Sequence, residues 1–182
     1  MLKTAAKTLL ALLLSIAGPL SQAQEALSPR LQIGIGILPA IVAANQRLAN
    51  DDAQSLSIYL VYQNNRHRAE QLRPALEKIG KIRRHELEIE SLSMTDLLQG
   101  DPAPTSAIFL VEPVGRELDE LLAFTERKRV LLFSPFVGDV ERGIATGFRV
   151  TDKVLPMVNM TALKQSNIQL KAFFLRVAVK HE

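Results

Sequence analysis

Cysteine is absent from the 182 residues. That excludes thiol catalysis, disulfide staples and most structural zinc sites, so stability must come from packing alone. Dense Lys/Arg blocks are also missing. "KIRRHE" and "ERKRV" are short and read as strand edges and helix ends, which excludes nucleic acid as a partner. The three histidines, His67, His85 and His181, form no HExxH pair. "HELEIE" puts its carboxylates on one strand face rather than at the helical spacing of a metal site, so no metal is expected. No G-x-S-x-G elbow is present, and Pro135 after Ser134 removes the next N–H that an oxyanion would need. "GIGILP" supplies two glycines of a dinucleotide fingerprint but has Pro39 at the third position. Adjacent acids at Asp51-Asp52 and Asp119-Glu120 read as solvent-facing. These residues call for no catalytic set and no cofactor.

What is present is a chain of single-domain length with 47% hydrophobic residues, enough for a substantial core. Its start is a separate matter. Lys3 and Lys7 precede the apolar "TLLALLLSIAGPL", and "SQA" offers small residues at Ser21 and Ala23. That order is the mark of a secretory signal peptide over 1–23, with the mature domain spanning 24–182. A membrane anchor would need roughly 20 apolar residues, and Gly18-Pro19 interrupts this run. Residue 24 is Gln, so nothing points to a lipid on the mature N-terminus. Removing 1–23 takes away two lysines and no acid, leaving 20 basic against 19 acidic residues.

Along the mature chain, "SPRLQIGIGILPAIVAANQRLAN" alternates like a strand over 31–37 but begins with Ser28-Pro29, an N-cap followed by a first-turn proline. We read it as a helix broken near Pro39. "SLSIYLVY" is apolar on both faces, as in a sheet covered by helices. From the Asn65 cap, the stripe Ala69, Leu72, Leu76 and Ile79 predicts a helix kinked or restarted at Pro74 and stopped by Gly80. "HELEIESL" alternates as an edge strand with Leu87 and Ile89 inward. "SAIFLVEP" and "VLLFSPF" are interior strands, and "GRELDELLAFTERKR" is a helix whose charge order suits its dipole. Residues 144–150, the "TDK" turn and 154–158 predict a hairpin, with Pro156 at an edge or irregular position. A short helix capped at Asn167 and a longer one from Ile168 onward complete the chain. The sum is an α/β domain: a helix-flanked, largely parallel sheet with a C-terminal β-hairpin and terminal helix.

In open α/β sheets, ligands gather beyond the carboxyl ends of the strands. Those tips are "QNN", "EP" and "SPF", which makes Asn64, Arg66, Glu112, Ser134 and Phe136 the binding candidates for a ligand or a partner.

The end of the chain, "LLFSPFVGDVERGIATGFRVTDKVLPMVNMTALKQSNIQLKAFFLRVA", resembles the YfiR-like periplasmic proteins. Ser134, Gly143, Asn159, Asn167 (usually Gly in the family) and "FFLRVA" occupy that family's C-terminal pattern, and "SIYLVYQNN" fits its first strand. The resemblance implies a periplasmic, non-enzymatic regulator, often homodimeric. Such a protein binds and restrains the periplasmic domain of an inner-membrane signalling protein, typically a diguanylate cyclase of cyclic-di-GMP signalling. It also suggests that the hairpin edge and Phe148 contribute to self-association. Ser106-Ala107 stands where the family commonly has Cys-His, so cysteine-based redox control cannot operate here. Arg142-Gly143 replaces a frequent glycine pair, and Pro135 a frequent acid. The competing expectation is a small-ligand receptor resembling one lobe of a solute-binding protein.

Overall fold

The computed structural model describes residues 27–49 and 54–182. The expected signal peptide over 1–23 and the pair Asp51-Asp52 lie outside the described residues.

Ser28 Oγ accepts a hydrogen bond from Leu31 N and caps helix α1, Pro29–Ala44. The expected break at Pro39 does not occur; the helix continues through it. Proline forfeits one backbone bond, but Leu38, Ile41 and Val42 around it are almost completely buried. The sequence alternation at residues 31–37 gives way to a face made by Leu31, Gly34, Leu38 and Ile41, at helical spacing. Gly34 eases the approach there. A Cβ would sit 3.1 Å from the Phe109 ring and 3.2 Å from Pro135, a tight fit that glycine avoids where α1 meets the sheet.

Strand β1, Ser55–Tyr62, carries Ile58, Tyr59, Leu60 and Val61, all buried. Asn65 caps α2, Arg66–Glu77, by accepting from Arg68 N at 2.9 Å. Its stripe of Ala69, Leu72 and Leu76 is fully buried. Each leucine contributes about 1.5–3 kcal/mol, which holds the helix in one piece through Pro74, where a kink or restart was expected. Gly80, with φ +70, turns the chain into β2, Lys81–Ile82. Strand β3, His85–Ser93, exposes Glu86, Glu88 and Glu90 as expected. It is second from the edge rather than the edge itself, because β2 pairs with it.

A short helix α3, Met94–Gln99, leads to β4, Ala107–Leu110. Helix α4, Leu118–Lys128, then returns the chain to β5, Leu131–Phe133. Strands β6, Thr146–Val150, and β7, Val154–Asn159, form the expected hairpin. After them come α5, Met160–Gln165, α6, Ala172–Val177, and β8, Val179–His181.

The eight strands make one sheet in the order β2-β3-β1-β4-β5-β6-β7-β8. Pairing is parallel from β3 through β6, so the expected helix-flanked, largely parallel sheet is the one observed. Phe109, Phe133 and Phe148 stack through its core, with ring centroids 5.1 and 6.4 Å apart.

The long terminal helix is a correction. Asn167 does adopt the left-handed conformation, φ +51, and ends α5. Beyond it, Gln169 O accepts from Gln46 N at 2.8 Å, and Lys171 N donates to Ala44 O at 2.9 Å. Residues 168–171 thus spend on the end of α1 the backbone groups that a helix would need. Only six residues of α6 follow before β8 pairs with 157–159 of β7. Pro156 lies just beyond that pairing, where β7 needs no donor. Among the described residues, no helix is long and apolar enough to cross a membrane.

Candidate functional site

The chain leaves β1 for β3 on one side and later enters β4 on the other, so the strand order reverses between β1 and β4. A crevice at the carboxyl end of such a switch point is where open α/β sheets take ligands. Here it is filled from within. One carboxylate oxygen of Glu112, just past β4, accepts from the backbone N–H groups of Gln63, Asn64 and Asn65, at 2.5, 2.7 and 3.1 Å. These donors open α2, whose positive end favours an anion. Gln63 Nε2 also donates to Glu117 Oε2, beside the start of α4. Of the predicted residues, Glu112 and the Asn64 backbone therefore meet. The Asn64 side chain is exposed, and Arg66 extends along the outside of α2, 4.0 Å from Glu70.

Ser134 and Phe136 belong to a neighbouring structure. The Ser134 hydroxyl is buried and donates to Asp139 Oδ2 at 2.5 Å, while its oxygen accepts from Phe136 N at 3.1 Å. Arg142 bonds the other Asp139 oxygen at 3.1 Å and reaches Val114 O at 3.1 Å, tying this loop to the one after β4. Asn159 completes the clamp, donating to Val140 O and accepting from Ala162 N, both at 2.9 Å. Gly147 passes so close that a Cβ would lie 2.8 Å from both Ser134 O and Val140 Cγ2. These contacts hold the loop in place; they do not leave Ser134 facing an open cleft.

Phe136 is half-buried beside a hollow of about 130 Å³ that it shares with Arg30 and Phe148. Phe148 is only 5% exposed. The Arg30 guanidinium lies 4.6 Å from its ring centroid and donates to Pro135 O at 2.5 Å. Burial lowers the pKa of Arg30. The ring is thus part of the core, and the hairpin's exposed positions are instead Arg149, Val150 and Val154.

A cavity of about 710 Å³ lies at the opposite, amino end of the strands. Sequence reasoning missed it, because the switch-point argument points the other way. Asn45, Arg47 and Leu48 after α1 form one side, and Phe124, Lys128 and Arg129 of α4 and its end form another. The third wall is 101–106, pinned to β1 by three bonds. Tyr59 OH donates to Ala103 O at 2.8 Å, and Thr105 Oγ1 and Ser106 N both donate to Ser57 O at 2.9 Å. The Tyr59 hydroxyl has its pKa raised, first by burial and then by Glu90. A signal that could have located this site was the basic end of "ERKR", which in sequence reads as a helix terminus.

No protein-family model matches the chain, and no curated protein matches it. Among solved structures it is similar to a conserved domain protein of Vibrio cholerae O1 biovar El Tor, at 15% identity and a TM-score of 0.56. That match covers 85% of this chain and 60% of the other. It is also similar to the ABC domain of Streptococcus pneumoniae solved in complex with L-Trp, at 10% identity and a TM-score of 0.51, covering 83% and 60% respectively. At these identities the likeness is one of fold alone, and the chain spans about 60% of the length of either structure.

Proposed function

We propose that this chain is a periplasmic, non-enzymatic regulator that binds and restrains the periplasmic domain of an inner-membrane signalling protein, a diguanylate cyclase being the first candidate. One observation carries the reading: the switch-point crevice is occupied by the chain's own Glu112 carboxylate. With the usual ligand position taken, recognition falls to the outer surface. The C-terminal pattern shared with the YfiR-like proteins supplies the partner class. Restraint requires that the regulator bind the partner's inactive state more tightly than its active one. In this reading the protein acts as a homodimer.

Deleting the gene and measuring cyclic-di-GMP, together with crosslinking from membranes, tests the proposal. A rise in cyclic-di-GMP and capture of one cyclase support it. Unchanged levels with no membrane protein captured refute it. The second reading, a small-ligand receptor, draws on the likeness to a structure solved with L-Trp. A several-degree thermal shift with L-tryptophan would favour it over the regulator.

A further inference from the structure

We infer that the amino-edge cavity is a binding site for a small organic anion with an apolar body. This does not depend on the identity of any membrane partner, and either conclusion can stand without the other.

Two cations and an amide that converge on one cavity make the argument. Asn45 is 93% buried, at 7% exposure, and lines the cavity. Its Oδ1 is engaged by Arg47 N at 3.1 Å, but its amide nitrogen has no hydrogen-bond partner among the described residues. That nitrogen stays within reach of solvent at the cavity, where a ligand acceptor can take the place of water. Arg47 and Arg129 also line the cavity, and neither guanidinium has a side-chain or carbonyl partner among the described residues. Lys128, by contrast, is paired with Asp101 at 3.0 Å. Among the described residues, the charged lining comprises three cations, Arg47, Lys128 and Arg129, against two carboxylates, Asp101 and Glu88.

The body of the ligand has its own surface. Leu48, Phe124 and Val130 form an apolar floor, each about 5% exposed or less. A volume of about 710 Å³ falls in the range that takes small molecules, and a lining about half polar and half apolar suits a ligand with a charged end and an apolar body.

Arg129 adds a further sign. It follows α4 in the left-handed conformation, φ 57 and ψ 45, where glycine or asparagine is the ordinary residue. Arginine is strained there, and the strain places a guanidinium at the cavity.

That strain makes the test clean, because Arg129→Gly relieves the backbone while removing the charge. Thermal shift and calorimetry would use 3-phenylpropionate, phenyl phosphate and, as a cation on the same body, 3-phenylpropylamine. The two anions at about 5 mM raise the parent's melting temperature by several degrees, and the amine does not. Arg47→Ala and Arg129→Gly each weaken anion binding about tenfold, as expected for a charged hydrogen bond. Asn45→Asp, which exchanges a donor for an acceptor, abolishes it. Arg129→Gly melts at or above the parent, so its loss of binding is not a loss of fold. Arg149→Ala, a surface cation on the hairpin, leaves binding unchanged. An equal response to anion and amine overturns the inference. So does parent-like affinity in Arg129→Gly, or a loss in Arg149→Ala matching that in Arg129→Gly.

Discussion

Replacing Glu112 with alanine removes one acceptor from three backbone donors at once. A hydrogen bond to a charged group contributes about 1.5–3 kcal/mol, but three bonds to one oxygen do not add. Asn64 is exposed, so water replaces the carboxylate there, while Gln63 and Asn65 are only partly exposed. Losing the anion at the start of α2 costs a further ~0.3–1 kcal/mol. The expected loss is about 2 kcal/mol, which for a chain of this length lowers the melting temperature by roughly 4–8 °C. Glu112→Gln keeps an acceptor oxygen but not the charge, and falls near the midpoint, about 1 kcal/mol down. Formate at about 100 mM stabilises the alanine variant more than the parent, because it can enter the vacated anion position. Urea denaturation of the three proteins, with and without formate, is the assay. If Glu112→Ala lay within about 0.5 kcal/mol of the parent, or formate acted equally on both, the carboxylate would not be what holds the β1–α2 turn, and the basis for the functional proposal would go with it.

Three other substitutions probe the rest of the architecture. Tyr59→Phe loses the bond to Ala103 O and costs about 1 kcal/mol. Because the folded tyrosine ionises above its usual value near 10, the unfolded state gives up its proton first. Stability is therefore full below pH ~10 and falls as pH rises toward the folded value, and urea midpoints at about pH 9 and 11 should show a smaller drop in the phenylalanine variant. Gly34→Ala presses a methyl to 3.1 Å from the Phe109 ring, which offsets the ~1 kcal/mol that alanine gains over glycine inside a helix, so thermal unfolding should shift by less than about 1 kcal/mol. Ser134→Ala strips Asp139 of one buried partner and leaves Phe136 N unbonded, lowering stability by about 1–3 kcal/mol; circular dichroism melts would register it.

How much of this could be read from the residues alone depended on whether each signal was local. Strands β1, β4 and β5 were legible because burial on both faces leaves an unbroken apolar run, as in "SIYLVY", "AIFL" and "LLF". The Asn65 cap and the left-handed Asn167 were legible because a single side chain carries the information. Strand β8 was not. Three residues specify no strand until β7 offers an open edge, and 168–171 look helical until the end of α1 takes up their backbone groups. The break at Pro39 and the restart at Pro74 were over-read for the complementary reason: the local penalty is visible in sequence, while the burial that outweighs it is not. At the site, Glu112 stood out by its place at a strand tip, but its partners are backbone N–H groups, which have no residue identity to read. The amino-edge cavity is assembled from stretches near 45, 103 and 129, and nothing within any one of them points to the others.

The two ends of the sheet therefore pose opposite problems in charge. At the carboxyl end, the donors of the β1–α2 turn are met by a carboxylate the chain supplies, and Arg142 is met by Asp139 and Val114 O. At the amino end, Asn45 Nδ2, Arg47 and Arg129 meet no acceptor among the described residues. Where the protein needed only to hold itself together, as at Ser134 and Glu112, it closed the hydrogen-bonding account internally. Arg47 and Arg129 are exposed there, so water meets them in the free protein. An anion from outside can displace that water and meet both cations at once, so the unfilled end of β1, rather than the filled one, is where the chain can receive something.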